Sequence, residues 1–348
     1  MNREEVIAAF RRDDTVEDQD LTGIDLSGLD LSGGRFERVS LKQADFRRAE
    51  LRRTGFKECD LSGANLQGLN LSQALWRKMI LPGADLSGAN LTRILLSGSN
   101  LAGANLAGAD LTQAILDQAD LSRASLARAR LLRTVLFKAK LNGADLTAAD
   151  LEKAIFMKAD LTGARLAKIR AYKTFFRECL LAGQDFSGCS FTKCQAGAAN
   201  LAQANFQGAD LTQSNFAEAD LTGANLDQVQ GRRAVFLGAK LDQALLTAGR
   251  FYQANFEGAG LTRADFSGAK LNQARLVRAK AVGAIFAGAD CEYVDFSHAD
   301  LSQADFSGAH LSKAKLHLII EDHTIWDAEA KAATSGTDAD LAEAETWS

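Results

Sequence analysis

The chain is poor in the residues that interrupt regular backbone structure or support common enzyme chemistry. Its 348 residues include one proline, five cysteines and four histidines. A single proline fits a backbone whose amides are used in continuous ladders, because proline has no N–H to donate. No apolar run approaches the roughly 20 residues of a membrane-spanning helix, and the sequence contains neither a Gly-rich phosphate loop nor a nucleophile elbow. We therefore expect no transmembrane segment and no enzymatic activity.

The chain has instead a strict period of five residues. From Leu21 to Leu316, every fifth residue is leucine or phenylalanine at 54 of 60 positions, which are the centres of the repeat. Two residues before each centre lies a second small or apolar residue, so two residues in five point inward. A period of five matches neither an α-helix nor a β-strand. Repetition of this length is typical of a solenoid, in which each unit buries its apolar side against its neighbours.

The repeated unit follows the pattern A(D/N)LXX, as in Ala64-Asn65-Leu66 and in the stretch that begins at Ala144. This pattern resembles the pentapeptide-repeat family. The resemblance implies an all-β fold, a right-handed quadrilateral parallel β-helix in which four pentapeptides make one coil, so the 60 units predict about 15 coils. Unrelated functions share this scaffold, so the function has to be argued from the surface of the β-helix.

The two ends of the chain depart from the repeat. Asn2, followed by acidic and then apolar residues, predicts an N-capped amphipathic helix that covers the open edge of the first coil. The last residues are acidic and predict weak order, although Trp347 leaves open a short docking peptide. The predicted domains are an N-terminal capping helix at 1–19, the β-helix at 20–316, a C-terminal cap at 317–332 and an acidic flexible tail at 333–348.

The cysteines and histidines give little support for a metal or a cofactor. All five cysteines occupy inward positions of the repeat, which predicts small buried side chains without disulfides. His298 and His317 fall on adjacent coils of one face. A metal site there is an alternative to capping and surface roles, which we favour. We therefore expect no metal and no cofactor.

The charge distribution separates two functions that the family resemblance implies. Family members that protect DNA gyrase imitate DNA with acidic sides. The net charge of this chain is −4, but residues 321–348 alone carry −7, so residues 1–320 carry +3. Because the repeat region is not acidic, a DNA-mimicking, topoisomerase-binding protein is the alternative and not the first hypothesis.

Two columns of outward residues distinguish one part of the repeat from the rest. The residue before a centre is normally Asp or Asn, yet six successive coils of one face have apolar residues there, and two more apolar residues lie one column across. These eight residues are the apolar strip: Leu75, Leu95, Ile115, Val135, Ile155 and Phe175, with Phe137 and Met157. A basic column on the neighbouring face is expected to form its rim: Arg133, Lys153, Lys173 and Lys193.

The apolar strip predicts a partner or self-association surface, because monomers seldom expose apolar patches of this length. Two alternatives stay open: the strip residues tuck over the corner into a thickened core, or a terminal segment covers them. Acidic residues interleaved with the basic column make nucleic acid an unlikely partner.

We therefore expect a non-enzymatic protein-binding scaffold. Residues 20–31 also resemble pentapeptide-repeat proteins associated with bacterial contractile secretion systems, which implies an adaptor, accessory or cargo role. The charged start of the chain lacks the features of a signal peptide, so we expect a cytoplasmic location. Export through a specialised secretion machine would leave no mark in the sequence.

Overall fold

The computed structural model describes residues 1–346 and divides the chain into two compact units, one of residues 1–180 and one that begins at Leu181. The question of whether Trp347 docks to anything lies outside the described residues. None of the helices found in residues 1–346 has the length and apolar character needed to cross a membrane.

The first unit begins with helix α1 (Arg3–Arg11), which contacts the first coil of the repeat. Asn2 is its N-cap: the Asn2 side chain accepts a hydrogen bond from the Glu5 backbone N–H, and the Glu5 carboxylate accepts one from the Asn2 N–H. This reciprocal pair satisfies two amides that the first helical turn leaves unpaired. The Phe10 ring packs edge-on against Phe36, with 5.0 Å between the ring centroids.

Four short strands follow α1 and pair in parallel with a constant register. Strands β1 (Thr15–Glu17), β2 (Arg35–Glu37), β3 (Gly55–Lys57) and β4 (Leu75–Arg77) lie in that order in one sheet, and each residue pairs with the residue 20 positions later. Single β-bridges repeat the same spacing on the other sides of the coil, for example between Asp25 and Asp45. Four sides and a 20-residue coil make a quadrilateral parallel β-helix, so the predicted fold class is confirmed. Pairing starts at Thr15, five residues before the predicted boundary.

The repeat pattern has a direct structural cause in each five-residue unit. The centre and the residue two before it are buried, as for Ala144 and Leu146 at 0% exposure. The Asp or Asn before the centre accepts a hydrogen bond from the backbone N–H two residues later, as Asp145 does from Thr147 at 2.9 Å. The residue two after the centre has a positive φ, 58° for Ala148, and turns the chain onto the next side. Apolar residues therefore fill the core while Asp and Asn stabilise the corners.

The second unit has the same ladder and ends in two helices. Bridges 20 residues apart run from Asp185↔Asn205 to Lys315↔Ser335. Strand β5 (Asp305–Phe306) pairs with β6 (Ile325–Trp326), and the Trp326 ring stacks on Phe306 at 4.5 Å, so strand pairing continues inside the predicted C-terminal cap. Helix α2 (Ala328–Ala332) and helix α3 (Ala339–Glu345) follow.

The core of the second unit accommodates one irregular centre by a compensating side chain. Gly231 replaces leucine at a centre, and the Phe251 ring of the following coil fills the space: a Cβ on Gly231 would lie 2.5 Å from that ring. Gly249 leaves room on the other side of the same ring, because its Cβ would lie 2.3 Å from it. A large side chain therefore occupies the volume that two glycines leave.

Candidate functional site

From Leu95 to Phe175, the apolar strip is a continuous backbone ladder within the first unit. Parallel bridges join Leu95 to Ile115 and then continue through Val135 and Ile155 to Phe175. Backbone hydrogen bonds connect successive coils of this ladder; for example, the Leu116 N–H donates to the Val135 carbonyl at 2.7 Å. At the usual strand spacing of about 4.8 Å, the strip is about 19 Å long from Leu95 and about 24 Å long from Leu75.

The strip side chains lie on the surface, above the core. Leu75, Leu95 and Phe175 are 57%, 42% and 39% exposed, whereas the other five strip residues are half-buried. The residues on either side of the six strip residues that lie directly before a centre, such as Leu116, form the core at 1% exposure or less. A thickened core does not account for such exposure, and the exposure at both ends of the strip shows that no described segment covers those ends.

The strip residues give up a stabilising bond that the fold makes elsewhere. At the same position on other faces, Asp120 accepts a hydrogen bond from the Ser122 N–H at 2.9 Å. Leucine, isoleucine, valine and phenylalanine have no acceptor atom, so this bond is missing at all six coils of the strip. The apolar residues are therefore not a requirement of the β-helix, which is better served locally by Asp or Asn.

The predicted basic rim is only partly available to a partner. Arg133 is exposed and forms no ion pair with any residue in 1–346. Lys153 is held by Glu152 at 2.8 Å, and this hydrogen bond keeps the pKa of Glu152 below its usual value. Lys173 lies 5.3 Å from the centre of the Tyr172 ring, and Lys193 belongs to the second unit. Of the rim residues in the first unit, Lys153 is therefore paired with an acid, whereas Arg133 and Lys173 form no ion pair within residues 1–346.

Lys138 and a groove at Gly55 belong to the same surface but were not predicted. The Lys138 ammonium lies 5.2 Å from the centre of the Phe137 ring, which places a second cation against the strip. Gly55 interrupts the column between Arg35 and Leu75 and opens a groove of about 210 Å³. A glycine at a position that normally has a side chain was the sequence signal for this groove.

The described residues offer little nucleophilic chemistry. All five cysteines are free and buried. Burial raises the pKa of Cys179 to about 12 and also raises the pKa values of Cys59 and Cys291, so these thiols stay protonated at neutral pH. One cluster could hold a metal ion: the carboxylate of Glu345 lies near the side chains of His298 and His317. The repeat register predicts that His298 and His317 lie on adjacent coils, but nothing in the sequence indicates that Glu345 lies beside them.

Comparisons with protein families agree with the repeat and cover most of the chain. A model described as a pentapeptide repeat region matches residues 17–106. A second, described as pentapeptide repeats in eight copies, matches overlapping stretches from residue 94 to residue 318. No curated protein matches the chain.

Solved structures with some similarity include other pentapeptide-repeat proteins. HetL, a pentapeptide repeat protein involved in heterocyst differentiation regulation from the cyanobacterium Nostoc, is 24% identical, with 90% of this chain and 96% of HetL covered and a TM-score of 0.22. QnrB1, a plasmid-mediated fluoroquinolone resistance protein, is 17% identical, with 56% and 94% covered and a TM-score of 0.36. A thylakoid-lumen pentapeptide repeat protein from Arabidopsis thaliana is 21% identical, with 47% and 82% covered and a TM-score of 0.17. Similarity at this level does not bear on what this chain binds.

Proposed function

Since the chain belongs to the pentapeptide-repeat family, we propose that it is a non-enzymatic scaffold that binds another protein through the apolar strip. The observation that supports this function is the run of six apolar residues at an outward position that elsewhere carries Asp or Asn. Each of the six coils forgoes a hydrogen bond at its corner. A protein partner that covers the strip would bury its apolar surface, and this burial would stabilise the complex by about 25 cal/mol per Å².

The surroundings of the strip define the chemistry of the partner. Arg133 and Lys138 favour acidic side chains at the edge of the contact, because neither is neutralised by an ion pair within residues 1–346. The groove at Gly55 has room for one side chain beside Leu75. We therefore expect a partner with an apolar ridge flanked by acidic residues. A second copy of this chain would bring the same basic residues to the contact, so self-association is the alternative that the test distinguishes.

The cellular role that we propose follows from the sequence of the first repeats. The likeness of residues 20–31 to secretion-associated members favours an adaptor, accessory or cargo protein of a bacterial secretion system, acting from the cytoplasm. Genes that encode secretion-tube or effector proteins beside the gene of this chain would support that role. A resistance locus in that place would favour the alternative, a gyrase-binding protein.

The test uses a variant that makes the centre of the strip polar. We would change Ile115→Asn, Val135→Asp and Ile155→Asn together, because Asn and Asp already alternate in another ladder of the same unit, where Asn105 donates to Asp85 at 3.0 Å. Leu245→Asn is the matched control: Leu245 occupies the same turn position on another face and is 46% exposed.

Light scattering would measure self-association, and affinity capture from cells of the source organism would identify other partners. The triple variant is expected to lose a complex that the wild type and Leu245→Asn both retain. If all three proteins form the same complexes, or if the wild type forms none, the strip is not a binding surface.

A further inference from the structure

The C-terminal helix returns to the side of the second unit and brings a carboxylate to two histidines. His298 and His317 lie on successive coils, where the His298 backbone N–H donates to the His317 carbonyl at 2.8 Å. Their rings are 5.3 Å apart and nearly perpendicular. Glu345, the last residue of α3, points its carboxylate at both rings. Two of these groups are on the rigid ladder, so their spacing does not depend on the conformation of the tail.

The distances within this cluster fit metal coordination. The Glu345 Oε2 atom lies 3.3 Å from His298 Nε2 and 3.6 Å from His317 Nε2. Hydrogen bonds between such groups are shorter, about 2.7–2.9 Å. Ligand atoms at about 2.1 Å from a tetrahedral zinc ion are about 3.4 Å apart. We propose that His298, His317 and Glu345 form a zinc-binding site that fastens the C-terminal helix to the β-helix.

The burial of His317 is a second observation that supports the site. The side chain is only 6% exposed, and its Nε2 atom has no hydrogen-bond partner within residues 1–346. Leaving a buried polar atom unpaired is unfavourable, by about 1–3 kcal/mol in general. With the imidazole proton moved from Nε2 to Nδ1, a metal ion bound between Nε2 and the Glu345 carboxylate would satisfy it. His298 and Glu345 are more open, at 26% and 37%, so solvent can supply the fourth ligand.

Zinc binding has one structural consequence at the start of α3. His317 Nδ1 accepts a hydrogen bond from the Asp338 backbone N–H at 3.2 Å. A neutral histidine that binds zinc through Nε2 carries its proton on Nδ1, so the two N–H groups would face each other. The Asp338 amide must therefore turn away when zinc binds, and this change gives the site a local readout.

Calorimetric titration of the metal-free, full-length protein with zinc chloride tests the site. We expect one zinc ion per chain, with affinity reduced at least tenfold in His317→Ala and in Glu345→Gln. Glu345→Gln is the more informative change, because this exposed helix end contributes nothing to the core. The matched control is the double variant His310→Ala and His323→Ala, which removes two exposed histidines outside the cluster. Amide NMR would follow Asp338.

The outcomes are distinct. Stoichiometric binding that both cluster variants weaken and the control retains, with a shifted Asp338 amide, supports the zinc site. Absence of saturable binding overturns it. Binding that is unchanged in Glu345→Gln, or lost equally in the control, also overturns it, because the zinc would then be held by other surface groups.

Discussion

The triple variant Ile115→Asn, Val135→Asp and Ile155→Asn should remain folded, with a loss of stability smaller than that of one core substitution. The three side chains are half-buried on the surface of the ladder, above core residues such as Leu116. Each new side chain presents the acceptor that the corner lacks. The backbone N–H two residues later can then donate to it, as the Thr147 N–H donates to Asp145.

The two contributions to the free energy of unfolding are of similar size. Full burial of a Val or Ile side chain contributes about 1.5–3 kcal/mol, so half burial of three contributes about 2–4.5 kcal/mol, which the variant loses. Three restored hydrogen bonds contribute about 0.5–1.5 kcal/mol each, about 1.5–4.5 kcal/mol in total. The net change in the free energy of unfolding therefore lies between a gain of about 2 kcal/mol and a loss of about 3 kcal/mol. By comparison, Leu146→Ala empties a fully buried centre and should cost about 2–5 kcal/mol.

Urea unfolding followed by circular dichroism measures both variants under the same conditions. The expected order of midpoints is wild type, then the triple variant at or slightly below it, then Leu146→Ala. A triple variant with a lower midpoint than Leu146→Ala, or one that fails to fold, would show that the strip is part of the core. The hydrogen-bond reasoning would be wrong if the single change Val135→Asp cost as much as Val135→Ala, since only Asp can accept the bond.

Three further predictions concern the backbone, the thiols and the charge. Ala148 has φ 58°, where a β-carbon is unfavourable, so Ala148→Gly should stabilise the protein by up to about 1–2 kcal/mol. Ala107 has no positive φ, so Ala107→Gly should destabilise the protein by about 0.5–1 kcal/mol. Thermal unfolding of the two variants distinguishes these effects. Burial raises the pKa of Cys179 to about 12, so iodoacetamide at pH 8 should leave the native thiols unmodified and label all five in guanidinium; fast labelling of the native protein would contradict their burial. Because residues 1–320 carry a net charge of +3, the purified protein should neither inhibit nor protect DNA supercoiling by a bacterial gyrase, and inhibition at micromolar concentration would favour the DNA-mimic alternative.

The sequence predicts the fold well because nearly every repeat has the same pattern of two inward-facing small or apolar residues with an outward-facing residue between them. A centre such as Leu146 and the aspartate before it recur often enough to fix the coil, and the outward direction of Leu95 follows from that register. Features that depend on one particular contact could not be predicted in the same way. The approach of Glu345 to the histidines requires the tail to fold back, which no repeat encodes. The neutralisation of Lys153 by Glu152, its neighbour in the chain, could have been anticipated.

Apolar residues at the outward position also occur outside the strip, and their arrangement helps to interpret it. Ile80 is 42% exposed, but its column has Asp60 on the preceding coil and Asn100 on the following one. Leu245 and Ile285 share a column, but Asp265 lies between them. Single exposed apolar side chains of this kind are normal on protein surfaces.

The strip differs because its column carries large apolar residues on six successive coils. A substitution that is merely tolerated would be expected to appear in isolation, as at Ile80, because each one loses a corner hydrogen bond. A run of six in register loses six such bonds and also aligns its side chains into one continuous apolar surface. The compensating free energy has to come from covering that surface as a whole, which is the physical reason for assigning the binding function to this face and not to the scattered apolar positions.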